Sequence, residues 1–97
     1  MANTELYTED QINKAMSDLQ NWKQDGNKIN REISAANFAA AVGIVNAIAV
    51  LAETAGHHPD ILIYGWNKIR VSLTSHDKGG LTEKDFNLAK KIEELDF

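Results

Sequence analysis

The sequence predicts an α+β domain in the order α-β-β-α-β-β-α, an antiparallel four-stranded sheet with helices packed on one face. Three observations predict it. Ile29, Arg31 and Ile33 alternate with Asn30, Glu32 and Ser34, and Ile69, Val71 and Leu73 alternate with Lys68, Arg70 and Ser72, the period-two pattern of half-buried strands. Ala39 to Ala55 is an alanine-rich run that is apolar around most of a helical circumference. Thr8-Glu9-Asp10-Gln11 and Thr82-Glu83-Lys84-Asp85 each open a segment whose apolar residues recur at helical spacing.

The first helix has Thr8 as its N-cap and Gln11 at N3, with Tyr7 and Ile12 at the spacing of a hydrophobic staple. Ile12, Met16 and Leu19 then share one face, so the helix is expected to run to about Leu19. Trp22-Lys23-Gln24 and the segment from Lys28 to Phe38 form the arms of a hairpin around Asp25-Gly26-Asn27, because Asp-Gly suits a turn that needs positive φ. In the second helix, Val42, Val45, Ala49 and Ala52 are expected to face the sheet, leaving Ile44, Ile48 and Leu51 for a second subunit. Gly56 suits the position after the helix end, and Pro59 forbids its continuation. Ile61 to Tyr64 reads as a short strand, Gly65 as a bulge or turn, and Lys68 to Thr74 as the strongest strand. After the loop Asp77-Lys78-Gly79-Gly80, the last helix points Leu88, Ile92 and Leu95 inward, with Leu81 and Phe86 at staple spacing.

With 97 residues the chain makes one domain, residues 1–97. A chain of this size buries roughly 60–68% of its unfolded surface, so an apolar face shared with another copy would add to a modest core. Hydrophobic residues at 43% and charged residues at 25% describe a globular balance, and a net charge of −4 argues against a nucleic-acid backbone binder. No cysteine is present, which excludes disulfides and thiolate metal sites. Met1 to Asp10 has no basic segment followed by an apolar one, so no secretory signal is expected. The longest apolar run, Phe38 to Ala52, includes Asn46 and falls short of the roughly 18–20 residues of a membrane span. A cytoplasmic protein without a membrane partner is the resulting expectation.

The chemistry concentrates on the three histidines. His57 and His58 sit in the turn between the second helix and a strand, and His76 sits just past the strongest strand. Glu53 is four residues before His57, within reach of it if the last helical turn persists, and could fix its tautomer. Taken singly, each of these residues has a plain structural use. A histidine is most often a surface or partly buried residue, Glu53 fits a solvated helix end, Asp85 fits a cap, and Trp22 and Trp66 fit packing.

The combined spacing is more specific. Glu53, three residues, His57-His58-Pro59, six residues, Trp66, nine residues, His76, eight residues and Asp85 make seven fixed positions. This pattern resembles the signature of the pterin-4a-carbinolamine dehydratases, also called 4a-hydroxytetrahydrobiopterin dehydratases, and the likeness extends to Gly80-Leu81-Thr82-Glu83, Leu88-Ala89 and Trp22. Two positions depart from it: Gly56 stands where some members carry an acid, and one extra residue lies near Gly65. The resemblance implies elimination of water from a 4a-hydroxytetrahydropterin in tetrahydrobiopterin recycling, with no metal or redox cofactor, in keeping with the lack of a glycine-rich nucleotide loop. It implies His57 and His76 as the acid–base pair and His58 as an assisting group. Glu53, Gly56, Thr74, Ser75, Asp77, Trp22 and Asp85 are the implied substrate-binding residues, the segment Thr74 to Asp77 offering backbone groups to the pterin's amide edge. The implied partners are the pterin itself and further copies of the chain, as dimer or tetramer through helix 39–55.

Two other classes compete with this reading. Three imidazoles with Glu53 as a fourth ligand could hold zinc, although adjacent histidines often point apart and the spacing fits no familiar zinc signature. An interaction module is the third class, because animal members of the resembled family also stabilise the dimer of a homeodomain transcription factor through the same helical face.

Overall fold

The computed structural model describes residues 5–97. Met1 to Thr4, part of the stretch read for a secretory signal, lie outside the described residues. The elements are α1 (Glu9–Ser17), β1 (Trp22–Asp25), β2 (Lys28–Ser34), α2 (Phe38–Ala55), β3 (Asp60–Tyr64), β4 (Lys68–Leu73) and α3 (Glu83–Glu93). The strands form one antiparallel four-stranded sheet, as expected, and their order is β1-β2-β4-β3. Ile29 pairs with Leu73, Arg31 with Val71 and Ile33 with Ile69, so the inward residues of the two central strands lie side by side. All six except Arg31 are buried.

Both capping boxes form. Thr8 accepts the backbone N–H of Gln11 and its own N–H reaches the Gln11 side chain, and Thr82 and Asp85 make the equivalent arrangement at α3. Tyr7 stacks on Phe86 of α3 with ring centroids 5.2 Å apart, which ties the entry of α1 to the core helix. Near the end of α3, Glu93 accepts the Trp22 indole N–H at 2.8 Å and lies 2.6 Å from Arg31 Nε, an ion pair whose geometry is too poor for a hydrogen bond. Arg31 can therefore occupy an inward register position because α3 supplies its counter-charge there.

Several boundaries differ from the sequence expectation. β2 stops at Ser34 rather than Phe38, because Asn37 accepts the Ala40 N–H at 2.8 Å and starts α2 one residue early. α1 ends at Ser17 and β4 at Leu73. The Gly65-Trp66-Asn67 tip joins β3 and β4, with Gly65 at φ 54° and Trp66 at φ 61°. A tryptophan is rarely left-handed, and Asn67 holds it so by exchanging hydrogen bonds with Ala35 on both backbone and side chain.

α2 turns inward only part of the face expected: Val45 and Ala52 face in, whereas Val42 and Ala49 are exposed. Ala41, Ile48 and Ala52 are buried, and Ile44, Val45 and Leu51 pack beside them. Phe38, Val42, Asn46, Ala49, Val50 and Glu53 form the outward stripe. Ile48, assigned to a subunit interface from sequence, thus belongs to the core with no exposure at all. The cause is that α2 packs on α3 as well as on β3 and β4, so its inward face is set by two neighbours. Its 18 residues average 1.8 in hydropathy, long and apolar enough to cross a membrane by length and composition, further than the Phe38–Ala52 run suggested. Here the inward half of that surface closes the protein core.

On the opposite side of the sheet, Tyr64 donates to Glu32 and Arg70 Nε donates to its other oxygen at 2.6 Å. These two bonds, the tyrosine's first, hold the Glu32 carboxyl below its usual range. From the placement of Ile48 we expect Ile48→Glu to unfold the monomer, since a buried unpaired carboxylate and a lost aliphatic side chain together cost more than about 4 kcal/mol. Circular dichroism during urea denaturation checks this, with a folded Ile48→Glu variant as the contrary result.

Candidate active site

The helix end dictates the site. Gly56 takes φ 64° and ends α2 in a left-handed cap, its N–H bonding back to the carbonyls of Ala52 and Glu53. The chain then reverses direction sharply, and Pro59 carries it into β3. That reversal sends the two neighbouring histidines different ways. His57 turns inward, its side chain 12% exposed, with Nε2 2.6 Å from Asp85 Oδ1. His58 turns outward at 64% and meets Glu53 Oε1 at 3.0 Å.

Glu53 therefore serves His58 and not His57. The reach of four residues assumed from sequence requires a continuing helix, and the left-handed Gly56 lies between them. The carboxylate beside His57 is Asp85, which also completes the α3 capping box: Oδ2 accepts the backbone N–H of Thr82 and the hydroxyl of Ser75, both at 2.9 Å. Capping and orienting are thus performed by the two oxygens of one side chain. Thr82 itself, whose hydroxyl lies 2.8 Å from Ser75 Oγ, joins this network. The sequence marked Thr82 as a cap only.

His76 stands exposed on the loop after β4. The loop is closed at its base by a bridge between Ser75 and Gly80, and Lys78 and Gly79 both donate to the Ser75 carbonyl at 3.0 Å. Thr74 pins it to the β1–β2 turn through a 2.6 Å bond to the Asn27 carbonyl. A cleft of about 280 Å3 opens between this loop and the end of α2, lined by Gly56, His57, His58, Thr74, His76 and Asp77. All three histidines border it. A larger hollow of about 580 Å3 lies across the outer face of the sheet, among residues such as Lys23, Asn30 and Arg70, and contains no histidine.

Four residues expected at the substrate do not line the cleft. Ser75 and Asp85 are 2% and 0% exposed, and lie beneath it as a supporting layer. Trp22 is 3% exposed and spends its indole N–H on Glu93, so it packs the core. Glu53 reaches the site only through His58. Among the described residues no three or more histidine, aspartate or glutamate side chains gather as a metal-ligand set.

A model of the family described as pterin 4 alpha carbinolamine dehydratase matches residues 5–95. The chain belongs to this family. A relative from Nocardia farcinica is 45% identical over 92 residues, spanning 95% of this chain and 96% of its own, and one from a Roseiflexus species is 47% identical over 85 residues, spanning 88% and 90%. Both carry the provisional name pterin-4-alpha-carbinolamine dehydratase. A crystal structure from Brucella melitensis, titled a transcriptional coactivator/pterin dehydratase, superposes with a TM-score of 0.85 at 30% identity over 92% of this chain and 96% of that one.

The left-handed cap gives this dehydratase-family site a simple test. Gly56→Ala places a Cβ at φ 64°, where nothing crowds it but the backbone conformation itself opposes it. The variant should remain folded and lose about 1 kcal/mol in urea denaturation. No loss would mean that the cap relaxes without strain.

Proposed function

We propose that the chain removes water from a 4a-hydroxytetrahydropterin to give the quinonoid dihydropterin, with His57 and His76 as the acid–base pair and His58 assisting. The observation that carries this reading is that three histidines border one cleft while a buried carboxylate holds one of them. In the reaction the C4a–oxygen bond breaks, a proton joins the departing hydroxyl, N5 loses its proton, and a C4a–N5 double bond forms. The step is redox-neutral and consists of two proton transfers. Imidazoles suit both, since donor and acceptor forms coexist near neutrality. Ser75 has its backbone committed to Gly80 and the turn, and the His76 carbonyl accepts from Gly79, so the backbone groups of Thr74 and Asp77 and the His76 N–H are the ones that meet the pterin's amide edge. The setting is tetrahydropterin recycling in the cytoplasm.

Dehydration of synthetic 4a-hydroxytetrahydropterin, followed with and without the protein, tests the reading. His57→Ala and His76→Ala should each slow it about 10²–10⁴-fold while the fold survives, and His58→Ala should act more mildly. No acceleration by the wild type would end the proposal.

Self-association through α2 accompanies this function. The outward stripe leaves Phe38 57%, Val42 38% and Val50 65% exposed, an apolar surface that monomers seldom leave in water. Small residues on it, Ala39, Gly43 and Ala49, allow a second helix to approach closely. The same stripe and the Brucella protein's title favour one other use, the binding of a different protein. Sedimentation separates them: we expect an oligomeric wild type and a folded, lighter Val50→Glu variant, whereas a monomeric wild type would favour the other partner.

A further inference from the structure

We propose that Ser75 is a positioning residue of this site, which acts through Asp85 to hold His57 in the tautomer that carries its proton on Nε2. The number of protons available fixes the direction of each bond. Ser75 Oγ lies 2.9 Å from Asp85 Oδ2 and 2.8 Å from Thr82 Oγ1, and it has one proton to give. The carboxylate oxygen accepts, so that proton points to Asp85. Ser75 must then accept from Thr82, whose own oxygen accepts the Lys84 N–H at 3.2 Å. The result is a one-way chain from the Lys84 N–H through Thr82 and Ser75 to Oδ2. Oδ2 also receives the Thr82 backbone N–H.

With two donors on Oδ2, Oδ1 is the oxygen left for His57 Nε2, 2.6 Å away. Nε2 is then the protonated nitrogen of the neutral ring, and Nδ1, with its lone pair, is the one available to the cleft. Water cannot take over any of these roles easily, since Ser75, Thr82 and Asp85 are 2%, 0% and 0% exposed. Removing the Ser75 hydroxyl would leave the Thr82 proton without an acceptor and free the Asp85 carboxyl to turn. Ser75 touches neither His57 nor the cleft, so its effect on chemistry must pass through Asp85.

The same proton count predicts the outcome at Asp85. In Asp85→Asn the amide oxygen must occupy the Oδ2 site, where two donors converge, and the amide NH2 must face His57. Nε2 would then accept, and the neutral ring would carry its proton on Nδ1, the opposite tautomer.

The kinetic part of this inference rests on the dehydratase reading, and the spectroscopic part does not. Imidazole 15N shifts, read from long-range 1H–15N spectra of the 15N-labelled protein at a pH where His57 is neutral, report the tautomer directly. The wild type should show Nε2–H and Asp85→Asn should show Nδ1–H. Ser75→Ala should show a mixture, and kcat for dehydration should fall on the order of tenfold with KM nearly unchanged, as for other supporting-layer partners. Ser75→Thr, which keeps the hydroxyl, should restore both the tautomer and kcat. A wild-type Nδ1–H tautomer overturns the proposal, even if no variant folds. An unchanged tautomer and kcat in Ser75→Ala overturns it as well. A wild type that shows Nε2–H without accelerating dehydration would support the positioning network while removing the dehydratase reading.

Discussion

A carboxylate with no access to solvent must find all its partners within the protein, and those of Asp85 come from three separate stretches of chain. The N-terminus of α3 supplies a backbone N–H, the loop after β4 supplies a hydroxyl, and the turn after α2 supplies an imidazole. Each partner would be free to drift without it. Because a buried charge left without a partner costs several kcal/mol, these three segments are held in one arrangement. The cleft exists where they meet.

The same constraint separates the histidines into different kinds. His57 is fixed by a buried acid, His58 is paired with an exposed one, and His76 rides on a loop that is braced only at its base. An exposed pair such as Glu53 and His58 is screened by water and contributes little to stability, so His58 keeps its freedom to move. One cleft thus combines a rigidly held imidazole with two adaptable ones. A small protein can do this because a single left-handed glycine ends α2 and reverses the chain just before His57.

Much of the fold was legible in the sequence because its signals are local. The capping boxes at Thr8 and Thr82, the alternation in β2 and β4 and the glycine after α2 depend on neighbours within a few positions. The grouping of the histidines was legible through spacing, and the helix end at Gly56 just before them was readable too. What could not be read depends on tertiary geometry. A helix apolar on every side does not say which side faces in, so Val42 and Ala49 of α2 read as inward but are exposed, while Ile48 reads as outward but is buried. Glu53 was given to His57 on the assumption of a continuing helix, although Gly56 already argued for its end. Asp85 was recognised as a cap, but nothing local reveals that its second oxygen meets a residue 28 positions away. Trp22 has the aromatic character of a ligand platform, and only Glu93, at the far end of the chain, shows that it is spent on the core.

The β3–β4 tip bears on how such a chain can vary. Gly65, Trp66 and Asn67 lie at one end of the sheet, and the histidines cluster at the other, where β3 begins and β4 finishes. The six residues of β4 set roughly 17–20 Å between the two ends. Three inward side chains of β4, Ile69, Val71 and Leu73, are fully buried along that length and fix the register. A residue inserted at the tip is therefore absorbed in a loop whose clamp is Asn67 on Ala35, and the strands do not slip. Length changes in this hairpin are isolated from the histidine cleft, so the tip can lengthen while the spacing from β4 to His76 stays the same.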